Sequence, residues 1–126
     1  MRSTHHLIRP AHLNQFGFLF GGQLLAWVDE DCWISASLSL PGCRFVTIGM
    51  ESVEFKHRVS EGDILRIDCL RKQVGNTSVT FEVQVYSNST ASGAPIFSTD
   101  VSFVNVDEQG NKAPIPAAAK QCGGSL

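Results

Sequence analysis

Between Gln23 and about Leu40 the apolar residues Leu24, Leu25, Trp27, Val28, Cys32, Trp33, Ile34, Ala36 and Leu38 recur at spacings that cover most of a helical circumference. The pattern predicts one long helix buried on most of its sides and stopped by Pro41-Gly42. After Gly42 the period falls to two. In RFVTIGMESVEF (Arg44 to Phe55) Val46, Ile48 and Met50 share one face, and the phase then slips to Val53 and Phe55. That slip predicts a strand with a bulge near Glu51-Ser52. SEGD (Ser60 to Asp63) is a turn. ILRIDCLRKQV, TSVTFEVQVYS and PIFSTDVSFVNV read as three further strands, the second alternating through Val79, Phe81, Val83 and Val85, with Gly75-Asn76 turning between the first two. Ahead of the helix, HHLIR (His5 to Arg9) is a short strand ended by Pro10. The connector PAHLNQFGFLFGG follows, holding Asn14 and Gly17 and ending on Gly21-Gly22.

The order is therefore strand, helix and four strands joined by short links, which favours antiparallel pairing because parallel neighbours need long crossovers. One long helix against a sheet of about five antiparallel strands is an α+β architecture. Such a sheet cannot cover a helix that is apolar on most sides, so the pattern predicts a homo-oligomer. One domain over residues 1–108 is expected. The Pro-, Gly- and Ala-rich segment 109–126 is expected to be a mobile tail.

Composition narrows the function. The chain has 126 residues, 43% of them hydrophobic, enough for one buried core. A formal net charge of −2 without blocks of like charge gives no electrostatic case for nucleic acid or a membrane surface. No apolar run suits a membrane span or a secretory leader, so a cytoplasmic protein is expected. Cys32, Cys43, Cys69 and Cys122 stand far apart with no C-x-x-C pair and are read as free thiols. His5, His6, His12 and His57 lack metal-ligand spacing, and no metal is expected.

The unusual feature is the acid triplet Asp29, Glu30 and Asp31 inside the apolar helix. A carboxylate there is costly unless it is paired or lines a cavity. Glu30 and Asp31 are expected in water. Asp29 falls seven residues after Gly22, nearly two turns, on the helical face of the glycine pair. That face carries free backbone N–H groups and the positive end of the helix dipole, which suit a developing oxyanion. A carboxylate further along can activate water or attack directly. Asn14 offers both an amide donor and a carbonyl acceptor.

Asn14-x-x-Gly17, LFGGQLLAWVDE (Leu19 to Glu30), Gly62-Asp63 before a strand, and VGNTSVTFEVQV (Val74 to Val85) occur in this order. The ensemble resembles the acyl-CoA thioesterase branch of the hotdog-fold superfamily over about His5 to Val106. The resemblance implies a long helix wrapped by a curved antiparallel sheet. It further implies acyl-CoA hydrolysis to the free acid and CoA in a dimer as the minimal active unit, with trimers of dimers forming hexamers. By position it makes Asp29 the catalytic carboxylate of one subunit and brings Asn14 from the other. The same resemblance assigns the oxyanion hole to the backbone N–H of Gly22, with Gly21 or Gln23. No cofactor is implied, coenzyme A being part of substrate and product.

Coenzyme A phosphates call for local cations. Two clusters qualify: Lys56 and Arg58 within FKHR, and Arg71 and Lys72 followed by Gly75, Asn76, Thr77 and Ser78. Phe16, Phe18, Phe20, Trp27 and Trp33 are expected mostly in the core, one or two lining an acyl tunnel. Two alternatives stay open. A hotdog hydratase or dehydratase would need a histidine near the helix start, for which His12 is the candidate. A non-catalytic acyl-CoA binding module would not need Asp29. Acyl length and the choice between CoA and acyl carrier protein are not encoded in any motif.

Overall fold

The computed structural model describes residues 1–122, with side chains as far as Lys120. Strand β1 spans Arg2–Leu7, helix α1 Gly21–Ser39, β2 Phe45–Phe55, β3 Ile64–Val74, β4 Ser78–Ser87, β5 Phe97–Asn105 and helix α2 Ala117–Cys122. The α+β architecture is as the hydrophobic pattern predicts. β3 coincides with its predicted run, whereas β1 begins three residues earlier than HHLIR. The connector contains a 3-10 turn, Pro10–His12, that the pattern did not signal.

The five strands form one antiparallel sheet in the order β1-β3-β4-β5-β2. β1 and β2 are its two edges, and α1, which joins them in the chain, lies across one face. β4 alternates without interruption along its length. Its inward residues Val79, Phe81, Val83 and Val85 meet Leu65, Ile67 and Cys69 of β3 and Phe97, Val101 and Phe103 of β5 in the core. Full burial of each of those phenylalanines contributes roughly 1.5–3 kcal/mol.

The helix offers this sheet a single stripe: Leu24, Val28, Asp31, Cys32, Ser35, Ala36 and Ser39 are buried. The expectation of burial on most sides is corrected for the single chain, because one sheet covers only the face turned toward it. Trp33 and Leu38 remain exposed, as do Val46, Ile48, Val53 and Phe55 of edge strand β2. β2 breaks register between Glu51 and Glu54, where Ser52 takes a positive φ of 56°, as the phase slip predicted. A second break between Thr47 and Gly49 was not predicted. Phe45 and Thr47 turn inward and Val46 and Ile48 outward by alternation, and the break then brings Met50 onto the inward face as well.

The segment expected to be a mobile tail is anchored over its described length. Ala113 N–H donates to Asn105 O at 2.9 Å and Ile115 N–H to Asn76 O at 2.7 Å. Asn105 Nδ2 reaches the carbonyls of Ala113 and Pro114, and Ile115 and Ala119 join the core. Composition reads this stretch as loose because Pro and Ala carry no periodic signal, but two apolar side chains and a strand-end asparagine tie it down. Cys32, Cys43 and Cys69 are free thiols. The expectation for Cys122 lies outside the described side chains. Among the described residues no helix is long and apolar enough to cross a membrane.

Candidate active site

α1 starts without a side-chain cap: Phe20 occupies the N-cap position in extended conformation. Its carbonyl accepts from Gln23 and Leu24 N–H, at 3.1 and 3.3 Å. The N–H groups of Gly21 and Gly22, at the positive end of the helix, are left without intrahelical partners. A Cβ on Gly22 would meet nothing within 4 Å, whereas one on Gly21 would lie 3.0 Å from the Phe55 ring. The open side of Gly22 is therefore where another group can approach the backbone closely.

The two replacements should separate. Gly22→Ala is expected to leave stability unchanged or raise it by up to about 1 kcal/mol, through lower unfolded-state entropy. Gly21→Ala must displace the half-exposed Phe55 ring. Denaturant midpoints read both, and a loss at Gly22 would mean that another chain presses on that position.

Asp29 is half-buried, and its Oδ1 accepts a hydrogen bond from Thr47 Oγ1 at 2.6 Å. Thr47 is available because it alternates with buried Phe45 and pairs with inward-facing Phe103 of β5, which turns it toward the helix. Sequence reasoning missed Thr47; a polar β-branched residue between Val46 and Ile48 in an alternating strand was the available signal. Glu30 is exposed, as expected. Asp31 is not: it is only 6% exposed. The expectation of a solvated Asp31 is corrected, because position 31 lies on the sheet-facing stripe one turn after Val28. Asp31 Oδ2 accepts from Thr4 Oγ1 at 2.7 Å and pairs with His6 Nε2 at 2.9 Å.

Asn14 holds the connector. Its Oδ1 accepts N–H bonds from Phe16 and Phe18, at 2.9 and 3.1 Å, around Gly17 in left-handed conformation at φ 84°. The acceptor is thus consumed by the loop, while the Nδ2 amide stays available as a donor. Asn14, Gly21, Leu24, Phe55, Val59 and Ile96 line a cavity of about 720 Å³ together with Phe16, Phe18, Phe20, Lys56, His57 and Arg58. Placement of the aromatics in the core is corrected accordingly. Phe16 and Phe20 are exposed and line this cavity with Phe18, and Trp33 is exposed elsewhere. Trp27 is half-buried, with His6 stacked on it at 4.4 Å and His12 edge-on at 4.8 Å.

Within one chain the cavity gathers Asn14, Gly21, Lys56 and Arg58 but not Asp29, Gly22 or the second cationic cluster. Arg58 lies over the Phe18 ring at 4.9 Å. Lys72 is held by Asp100 at 2.6 Å, which raises its pKa. Arg71 points inward, and its buried Nη1 has no hydrogen-bond partner among the described residues. The Gly75–Ser78 turn closes on itself through Gly75 N–H to Ser78 O. His12 accepts the Arg9 N–H on Nδ1 and lies outside the cavity lining. Among the described residues no group of three or more His, Cys, Asp or Glu side chains is placed to hold a metal ion.

A family model described as the thioesterase superfamily matches residues 16–94. Over 122 residues the chain is 33% identical to a Haemophilus influenzae protein described as an uncharacterized acyl-CoA thioester hydrolase, covering 91% of this chain and 77% of that one. It is 35% identical over 86 residues to the mouse acyl-coenzyme A thioesterase 11, which is 68% of this chain but only 14% of the mouse protein. The solved structure of Cj0915, a hexameric hotdog fold thioesterase of Campylobacter jejuni, superposes with a TM-score of 0.80 at 33% identity, covering 96% of this chain and 94% of that one.

Proposed function

This chain belongs to the thioesterase superfamily, and on that premise we propose that it hydrolyses acyl-CoA thioesters in the cytoplasm, as a homo-oligomer whose active site is shared between two chains. The observation that carries the reading is the separation of the site's parts. Asp29 sits two turns into the helix, oriented by Thr47. Asn14 faces a cavity whose lining does not include Asp29. A second copy reconciles the two, and the unpartnered apolar edge of β2 next to both supports such pairing. The dimer is the minimal unit, assembled as a trimer of dimers.

In this reading the thioester carbonyl oxygen lies against the Gly22 N–H, with Gly21 beside it, where backbone donors and the helix dipole stabilise the oxyanion. Asp29 of the same chain either takes a proton from the attacking water or attacks the carbonyl carbon itself, and the thiolate of CoA leaves. Asn14 Nδ2 of the other chain donates to the reacting carbonyl or the water. Lys56 and Arg58 at the cavity rim, or Arg71, Lys72 and the Gly75, Asn76, Thr77, Ser78 turn, meet the CoA phosphates. Coenzyme A enters and leaves as substrate and product, and no resident cofactor takes part.

The test is release of free thiol from acyl-CoAs of graded chain length, with Asn14→Asp beside the wild type. Asn14→Asp keeps the Oδ1 acceptor that closes the loop and removes the amide donor. It is expected to fold normally and to lower kcat/KM by about 10²-fold, the cost of one transition-state donor. Absence of thiol release by the wild type across the panel would overturn the hydrolase reading.

A further inference from the structure

Outside the proposed site two buried thiols face each other. Cys32, on the sheet-facing stripe of α1, and Cys69, on the inner face of β3, bring their Sγ atoms within 3.5 Å, with Cys32 as donor. They are 0% and 1% exposed. Hydrolysis as proposed uses neither.

Their surroundings are asymmetric. The hydrogen bond from Cys32 holds the Cys69 thiol below its ordinary value against the opposing effect of burial, helped by Ser35 and by the positive charge of Arg2. The same bond, together with burial, pushes Cys32 up. Cys69 is thus the more acidic thiol of the pair, with Cys32 as the hydrogen-bond donor beside it. The two sulfurs need to approach by only about 1.5 Å to reach bonding distance.

We propose that Cys32 and Cys69 form an oxidisable dithiol, a modification site at which a hydroperoxide links α1 to β3 through a disulfide. Cys69 gives up its proton and its sulfur attacks the peroxide, the O–O bond breaks, and the departing hydroxide takes up a proton to leave as water. Cys69 is then a sulfenic acid. Cys32 gives up its proton and attacks the Cys69 sulfur, the S–S bond forms, the S–O bond breaks and a second water leaves. With hydrogen peroxide as oxidant, two thiols and one peroxide give one disulfide and two waters. A thiol reductant reverses the modification.

The link fastens the helix that carries Asp29 to the sheet and closes the chain from residue 32 to residue 69, which restricts the unfolded state. The test uses the full chain and a Cys43→Ser variant, treated with hydrogen peroxide, denatured, alkylated with N-ethylmaleimide and digested with trypsin. The expected product is the peptide Ser3–Arg44 joined to Ile67–Arg71, in which the variant leaves Cys32 as the sole partner for Cys69. The thermal midpoint should rise by about 10 °C and return on reduction. In Cys32→Ser, whose hydroxyl can still donate to Cys69, the rise should vanish, and Cys69 should stop at a sulfenic acid that dimedone captures. Two thiols still open to alkylation after peroxide, or Cys69 joined to Cys122 instead, would overturn the proposal.

Discussion

Asp29→Ala is expected to lower acyl-CoA thiol release by about 10²–10⁴-fold, the range lost when a positioned acid or base is removed. Asp29→Asn serves as its partner, because an amide oxygen still accepts the Thr47 hydroxyl that holds the carboxylate at 2.6 Å. Both variants should fold and assemble, since Asp29 is only half-buried and outside the core cluster. If Asp29 is a general base or nucleophile, the two fall together; if it merely holds Thr47, Asp29→Asn keeps its activity.

The shared site makes a sharper expectation available. In a two-fold dimer that joins one Asp29→Ala chain to one Asn14→Asp chain, one of the two sites carries both defects and the other carries neither. Dissociating and randomly re-associating equal amounts of the two variants should therefore restore roughly a quarter of wild-type activity. No recovery in a mixture shown to exchange subunits would mean that Asp29 and Asn14 of the same chain serve the same site.

The fold was legible wherever burial is one-sided and regular. β4 alternates along its length because both its neighbours are strands and one face is wholly core, so period two survives intact. The helix was legible as an element, but the extent of its burial was not. Trp33 and Leu38 are as apolar as Leu24 and Val28 yet point away from the sheet, and only the number of covering layers separates them. The same holds at the site. Asn14, the glycine pair and Asp29 follow from chemistry and spacing along the chain. Thr47 could be marked as a polar residue in an alternating strand, but its bond to Asp29 spans 18 residues between two elements, and the assignment of water to Asp31 failed because its partners, Thr4 and His6, lie some 25 residues away on another element. Long-range polar pairing leaves no periodic trace.

Asp31→Ala should be among the most destabilising single changes in the chain, at about 2–4 kcal/mol, although sequence reading treats it like its neighbour Glu30. The inward face of β1 is polar: Arg2, Thr4 and His6 all turn toward α1. Asp31 meets each of them, through Oδ2 to Thr4 and His6 and through its backbone carbonyl to Arg2 at 3.1 Å. His6 is fixed from its other side by stacking on Trp27. Removing the carboxylate leaves a hydroxyl and an imidazole facing a small apolar gap, and edge strand β1 loses much of what docks it to the helix. Glu30→Ala, one residue away but exposed, should stay within about 0.5 kcal/mol of wild type. Because the cost comes from orphaned partners rather than from an intrinsically strong pair, His6→Phe combined with Asp31→Leu should recover most of it. Chemical denaturation of the four proteins decides the matter. Equal midpoints for Asp31→Ala and Glu30→Ala would mean that β1 is held by its ladder to β3 alone, and the polar contacts with the helix would then contribute no net stability.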